Sequence, residues 1–241
     1  MQYIALLLFL FTCSASGPAQ NVPTYSSVDH ALWNELLQKY VDDDGNVDYG
    51  RFKEDETKLK EYLTFLGDHP IAETADKQEK LAYYINLYNA ATVQLILNHY
   101  PTNSIKDISR PWSKDFVKIG SDYFSLGHIE HKVLRKMKEP RIHFAINCAS
   151  YSCPKLKNVA FTADQMEQQL ERTAREFIND PKRNTIAKDR ASLSQIFKWF
   201  KKDFTKKSSL RQYINQYANT PIDGNAAINY KKYDWSLNEA E

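Results

Sequence analysis

The sequence predicts an α+β fold, a single helix-rich domain with a central buried helix packed on a small, mainly antiparallel sheet. Three observations lead there. Aromatic residues are plentiful (15 Tyr, 12 Phe, 4 Trp) while glycine numbers only 7, which favours packed helices over a sandwich with many tight turns. Segments 29–41, 51–67, 77–99 and 161–178 carry apolar residues at helical spacing. Two short runs, 116–126 and 185–193, alternate about turn residues as hairpins do.

A chain of 241 residues is long enough to bury a large core, and with no linker after Asp29 it is expected to form one domain over 29–241. Net charge is +2 with both signs mixed throughout, so nothing points to nucleic acid. The apolar run 4–12 is too short to span a bilayer and is followed by Ser14, Ala15, Ser16 and Gly17, in the manner of a secretory signal peptide. Residues 1–19 are therefore expected to be a cleaved signal and 20–28 a short polar linker. The stretch Leu10-Phe-Thr-Cys13 is also a loose lipobox, which would tether the chain through Cys13. The expectation is an exported protein, periplasmic or secreted, with no transmembrane segment in the mature chain.

Taken in order, 29–41 places Ala31, Leu32, Leu36, Leu37 and Tyr40 on a helical stripe. The acidic stretch that follows fails as a calcium loop: with Gly45 at the sixth position, Tyr40 and Arg51 fall where oxygen ligands are required. Asp44-Gly45-Asn46 is read as a turn. The helix 51–67 should turn Phe52, Leu59, Tyr62, Leu63 and Phe65 inward before Pro70 breaks it. Segment 77–99 is apolar nearly all round, the mark of a buried helix. Its polar row Asn86, Asn89 and Thr92 either braces neighbouring backbone or lines a cleft. Helix 127–138 gathers His128, His131 and Arg135 opposite Ile129, Val133 and Met137; Glu130 falls near the apolar side, where it would need an arginine or a backbone donor. Alternation of Ile142, Phe144 and Ile146 predicts a strand over 141–147. Thr162 and Gln165 have capping-box spacing. Two short helices, 195–204 and 210–217, and a last strand over 228–237 complete the chain.

The chemistry centres on Cys148 at the end of that strand, since catalytic groups often sit where a rigid element gives way to a loop. A cysteine nucleophile needs a histidine to hold it as thiolate and a third group to orient that histidine. His131 is the expected base, because strand parity points His143 and Cys148 to opposite faces. Asn86, Asn89 or Asp234 would orient it. Glu130, Arg135, His143, Tyr151 and Ser152 are expected around the cleft, with Tyr151, Ser152 and the loop amides as oxyanion donors. This reading is a thiol-dependent hydrolase or acyltransferase without a cofactor. A second reading gathers His128, His131, Cys148 and Cys153 around zinc. A third, non-catalytic, joins Cys148 to Cys153 in a disulfide and gives the aromatic surface a peptide or glycan ligand in the envelope.

Five segments carry a likeness to a known family: Tyr84-Ile-Asn-Leu-Tyr-Asn-Ala90, Ile129-Glu-His-Lys-Val-Leu-Arg135, Arg141-Ile-His-Phe-Ala-Ile-Asn-Cys148 with Ser152-Cys-Pro154, Ile196-Phe-Lys-Trp-Phe-Lys-Lys-Asp-Phe204 and Tyr233-Asp-Trp-Ser-Leu-Asn238. Through them the chain resembles the domain-of-unknown-function 547 family, departing at Tyr84, where the family usually has Trp. The resemblance implies a shared fold, supplies no reaction, and places Glu130, His131 and Arg135 within a motif.

Overall fold

The computed structural model describes residues 28–240, so the expected signal peptide and Cys13 lie outside the described residues. The architecture is α+β and helix-rich. Helices α1 (Ala31–Tyr40), α2 (Tyr49–Phe52) and α3 (Glu56–Asp68) lead into the long α4 (Lys77–His99). A hairpin follows, β1 (Val117–Ile119) and β2 (Asp122–Phe124), then α5 (Leu126–His128), which widens into a π-type turn over Ile129–Val133 and tightens again over Leu134–Met137. Beyond it lie α6 (Met166–Asn179), β3 (Thr185–Ile186), β4 (Arg190–Leu193), α7 (Gln195–Trp199), α8 (Lys201–Phe204), α9 (Leu210–Asn215) and β5 (Ala227–Tyr230).

Local chemistry explains the long helix. Asp76 accepts from the Glu79 N–H at 2.8 Å while Glu79 accepts from the Asp76 N–H at 3.1 Å, a reciprocal cap on two otherwise orphaned donors. Pro101 prevents continuation at the other end. Between them α4 is buried on all sides, with α3 and α6 among its principal neighbours, and the small sheets flank this helical stack. The amide row is absorbed by backbone. Asn86 donates to the Phe161 carbonyl (2.7 Å) and accepts from the Phe161 N–H (3.0 Å). Asn89 treats the Ala145 carbonyl and the Asn147 N–H in the same way, at 3.0 and 2.8 Å. Unpaired, each buried amide would cost about 1–3 kcal/mol; paired, they fasten the segments on either side of the cysteine loop to the core helix.

The interior has two clusters. The larger is built on α1, α3 and α4 (Trp33, Tyr62, Leu66, Ile85, Ile96); the smaller holds Phe144, Phe177, Phe197, Phe204 and Ile214. Between them runs the segment expected to be a strand, and it is instead a 3-10 turn over Pro140–Phe144. Glu139 accepts from the Arg141 N–H and Pro140 opens the turn, both helix-start signals. Ile142 enters the larger cluster and Phe144 the smaller. With both flanks buried, the apolar spacing carried no information about period.

Other differences are local. Phe65, expected inward, is exposed, and Leu66 takes its place in register with Leu59 and Tyr62. The Thr162–Gln165 cap does not form: α6 starts at Met166, and Gln169 bonds both the Thr162 N–H and the Ala160 carbonyl. Strands β3 and β4 are antiparallel as expected, but β5 joins β4 in parallel and ends at Tyr230. The acidic stretch 42–44 is a turn with partners of its own, Lys155 bonding Asp44 at 2.8 Å and Asn158 bonding Asp43 at 2.9 Å. Gly45 is required there: its φ is +79°, and a Cβ would come within 2.6 Å of the Lys155 side chain.

Candidate functional site

A cleft of about 290 Å³ opens at the seam between the two clusters. Tyr88 of α4 forms one wall with Glu130 and His131 of the π-type turn, and Ile196, Trp199 and Phe200 at α7 form the other. His143, Ile146, Cys148, Cys153, Tyr233 and Trp235 also line it. Cys148 and His131 thus share one hollow beside the core helix. The loop of Trp112 closes over Gly127, whose N–H donates to the Trp112 carbonyl at 2.9 Å; a Cβ at 127 would lie 2.6 Å from that oxygen.

The two sulfurs are free thiols 2.7 Å apart. Cys153 Sγ also receives the Cys148 N–H at 3.1 Å and the Tyr233 hydroxyl at 3.3 Å. Burial pushes the Cys153 thiol up, but hydrogen bonds from the Cys148 thiol, the Tyr233 hydroxyl and the Cys148 N–H together outweigh it and bring it down to about 6. Cys148 moves the other way, well above the ordinary thiol range, because its proton is held against Cys153 and because it is desolvated. The Cys148 N–H and the Tyr233 hydroxyl, both directed at Cys153 Sγ, favour negative charge on that sulfur over Cys148. Ser150, bonded to Cys148 Sγ at 3.3 Å and to the Tyr233 hydroxyl at 2.9 Å, completes the network.

The two histidines have definite tautomers. Arginine has no acceptor, so the contact of Arg135 Nη1 with His131 Nδ1 at 3.3 Å makes Nδ1 the acceptor and leaves the proton on Nε2. Burial first, and Arg135 second, hold His131 below the usual imidazole range. In that tautomer His131 offers an N–H from Nε2. His143 Nε2 lies 2.9 Å from Asp203 Oδ2, an oxygen that also accepts from Arg135 Nε at 2.6 Å. The His143 hydrogen bond and Arg135 hold Asp203 well below the usual carboxylate range, so it only accepts and His143 carries its proton on Nε2. Desolvation keeps His143 neutral, and its Nδ1 is buried without a partner. The parity argument against His143 lapses with the strand it assumed.

Glu130 is the outlier. Its side chain is 11% exposed, and its contacts are the Tyr88 hydroxyl at 3.5 Å and His131 Nδ1 at 3.8 Å, with no arginine or backbone donor on it. Desolvation, followed by the charge on Cys153, raises it to about 7.

Several expected site residues are elsewhere. Asn86 and Asn89 brace backbone. Asp234 bonds the Ser236 N–H and hydroxyl, away from either histidine. Ser152 accepts from the Asp234 N–H, and Tyr151 is exposed beneath Arg183. Of the loop amides, those of 148, 149, 151, 152 and 153 donate within the protein and are not free for an oxyanion. His128 packs on Phe124, and among the described residues no three His, Cys, Asp or Glu side chains are grouped as metal ligands. Asp203 and Tyr233 were not singled out from sequence. The available signal was an acidic residue in the otherwise apolar and basic run 196–204 and a tyrosine beside Asp234-Trp235, both within segments of the family likeness.

No helix among the described residues is long and apolar enough to cross a membrane. Comparison with curated proteins and with solved structures gives no match. The model of the family described as "Protein of unknown function, DUF547" matches residues 72–178, a stretch that contains α4, the π-type turn and the cysteine loop but stops before Asp203 and Tyr233. Over residues 72–178 the chain is similar to that family, and it completes its cleft with residues that lie beyond the match.

Proposed function

We propose that the cleft is the active site of a thiol-dependent hydrolase or acyltransferase in which Cys153, with Cys148 as its hydrogen-bond donor, is the nucleophile. The observation that carries this reading is the convergence of two donors, the Cys148 N–H and the Tyr233 hydroxyl, on a sulfur that also lies 2.7 Å from the Cys148 thiol, inside an open cleft. The Cys153 thiolate attacks an acyl carbon. The His131 Nε2–H, with its tautomer fixed by Arg135, donates to the developing oxyanion. Glu130, which titrates near neutrality, returns a proton to the leaving group. The aromatic wall suits the flat faces of a peptide or glycan: Trp199 is 47% exposed and stacks on Trp235 at 5.8 Å. An exported location is part of the same proposal and is supported by the apolar run 4–12.

Mass mapping of iodoacetamide labelling on the reduced protein tests it. Cys153 should be labelled first, with an apparent pKa near 6, well below the ordinary thiol value of about 8.5. Cys148→Ser should move that value upward, and His131→Ala should keep labelling while losing hydrolysis of p-nitrophenyl acetate. Equal labelling of both thiols with an ordinary pH profile would refute the assignment and leave the non-catalytic, ligand-binding alternative.

A further inference from the structure

An acyl-transfer site needs one sulfur, and this cleft holds two on a loop whose geometry already brings them together. Their separation is 2.7 Å, against about 2.05 Å for a covalent disulfide. Joining them requires a sulfur displacement of under about 1 Å and no new fold of the loop. That loop is held from three directions. The Tyr151 and Ser152 amides donate to the Ser236 and Asp234 carbonyls, Arg183 donates to the Tyr151 and Cys153 carbonyls at 2.9 and 3.1 Å, and Asn89 secures Asn147. The remaining oddity of the cleft is Glu130, a buried carboxyl without a cation on it, placed in the same hollow as both thiols. Acyl transfer uses it only as a donor to the leaving group. A vicinal thiol that must lose its proton deep in a protein needs a nearby acceptor.

We propose that Cys148 and Cys153 form a dithiol that reduces a disulfide-bearing peptide or small-molecule disulfide entering the cleft, with Glu130 as the proton acceptor for the second sulfur. In the first step the Cys153 thiolate attacks one sulfur of the substrate. A Cys153–substrate mixed disulfide forms, and the other half leaves as a thiolate. In the second step Cys148 Sγ attacks Cys153 Sγ as its proton passes to Glu130. The Cys148–Cys153 bond forms and the mixed disulfide breaks, releasing the second half as a thiolate. Two electrons have moved from the pair to the substrate, and the proton on Glu130 is delivered to a departing thiolate. The aromatic wall beside the sulfurs holds the substrate backbone, as in the acyl reading. This inference shares the Cys153 nucleophile with the proposed function but uses no acyl chemistry.

The test uses the full chain, reduced and freed of reductant, mixed with oxidised glutathione, acid-quenched at intervals and read by intact mass and peptide mapping. The wild type should pass through a transient glutathione adduct to a product lacking two hydrogens, with Cys148 bonded to Cys153. Cys148→Ser should stop at a stable adduct on Cys153. Glu130→Gln should still form the adduct on Cys153 and resolve it about a hundredfold more slowly. This split between the two steps would not arise from a general loss of structure. An adduct that persists on the wild type, an adduct on Cys148 in place of Cys153, or unchanged resolution in Glu130→Gln each overturns the proposal. Selective iodoacetamide labelling of Cys153 combined with failure to form the internal disulfide removes the exchange activity alone. Loss of that labelling as well removes the nucleophile on which both readings depend.

Discussion

Glu139 and Glu130 are the same residue type, nine positions apart, with side chains 12% and 11% exposed, yet their surroundings drive them in opposite directions. Burial pushes Glu139 up, but the Arg141 guanidinium, bonded to its two oxygens at 2.8 and 2.9 Å, more than reverses this and holds it below the usual carboxylate range. Arg141 also grips Glu167 on α6, so the charged cluster ties the 3-10 turn to a helix. Glu130 is offered a tyrosine hydroxyl at 3.5 Å and the field of a thiolate, and it stays protonated until about pH 7. The first carboxylate is satisfied and holds structure in place. The second is left with its desolvation largely uncompensated, as expected where a protein keeps a proton ready for transfer.

The contrast is sharpest where the pair is broken. Arg141→Met leaves Glu139 buried without its bonded cation, with only Lys77 at 3.9 Å. It should destabilise the protein by about 3–5 kcal/mol, as loss of one partner of a buried pair does, while labelling of Cys153 in the fraction that remains folded keeps its pH profile. Chemical denaturation followed by tryptophan fluorescence measures the first and mass mapping the second.

Glu130→Gln should act in the opposite sense. The wild-type folded state binds a proton between about pH 4.5 and 7 that the unfolded chain has released, so its stability falls as pH rises through that window. The glutamine does not titrate. Relative to wild type, the variant should therefore be about 3 kcal/mol more favoured at pH 8 than at pH 4. Urea melts at the two pH values give this difference directly, and parallel curves for the two proteins would show that Glu130 is an ordinary carboxylate.

The smallest effect is expected at Tyr233. Tyr233→Phe keeps the ring and its packing on Trp235 but removes one of the donors on Cys153 Sγ. The labelling pKa of Cys153 should rise by about 1 unit, the worth of one hydrogen bond to a charged group, with little change in stability.

The sequence was most legible where local rules and burial agreed. Helix α4 carries its cap at Asp76 and is apolar all round, so its boundaries follow from the chain alone. The hairpins of β1 with β2 and β3 with β4 were likewise marked by their turns. The segment 141–147 misled because it is buried on every side, and an alternation that usually separates core from solvent here separates one core from another. That error hid the role of His143. The convergence of Cys148 and His131 was inferred from chemical need and matches the cleft, but which sulfur holds the charge was not legible. The donors that favour Cys153 come from Tyr233, 80 residues from it in the chain, and from the backbone N–H at position 148. Asp203 was missed for the same reason: its partner His143 is 60 residues away, and nothing local announces the pairing.

The final stretch of the chain, laid along the cysteine loop through Asp234, Ser236 and Leu237, has a bearing on timing. A nascent polypeptide halted before residue 233 already contains both sulfurs, yet it lacks the phenol that points at one of them and the carbonyls that clasp their loop. The loop therefore gains its full set of hydrogen bonds only once residues 233–237 are in place. A chain lacking residues 233–237 would retain the long helix while losing these contacts to the cysteine loop.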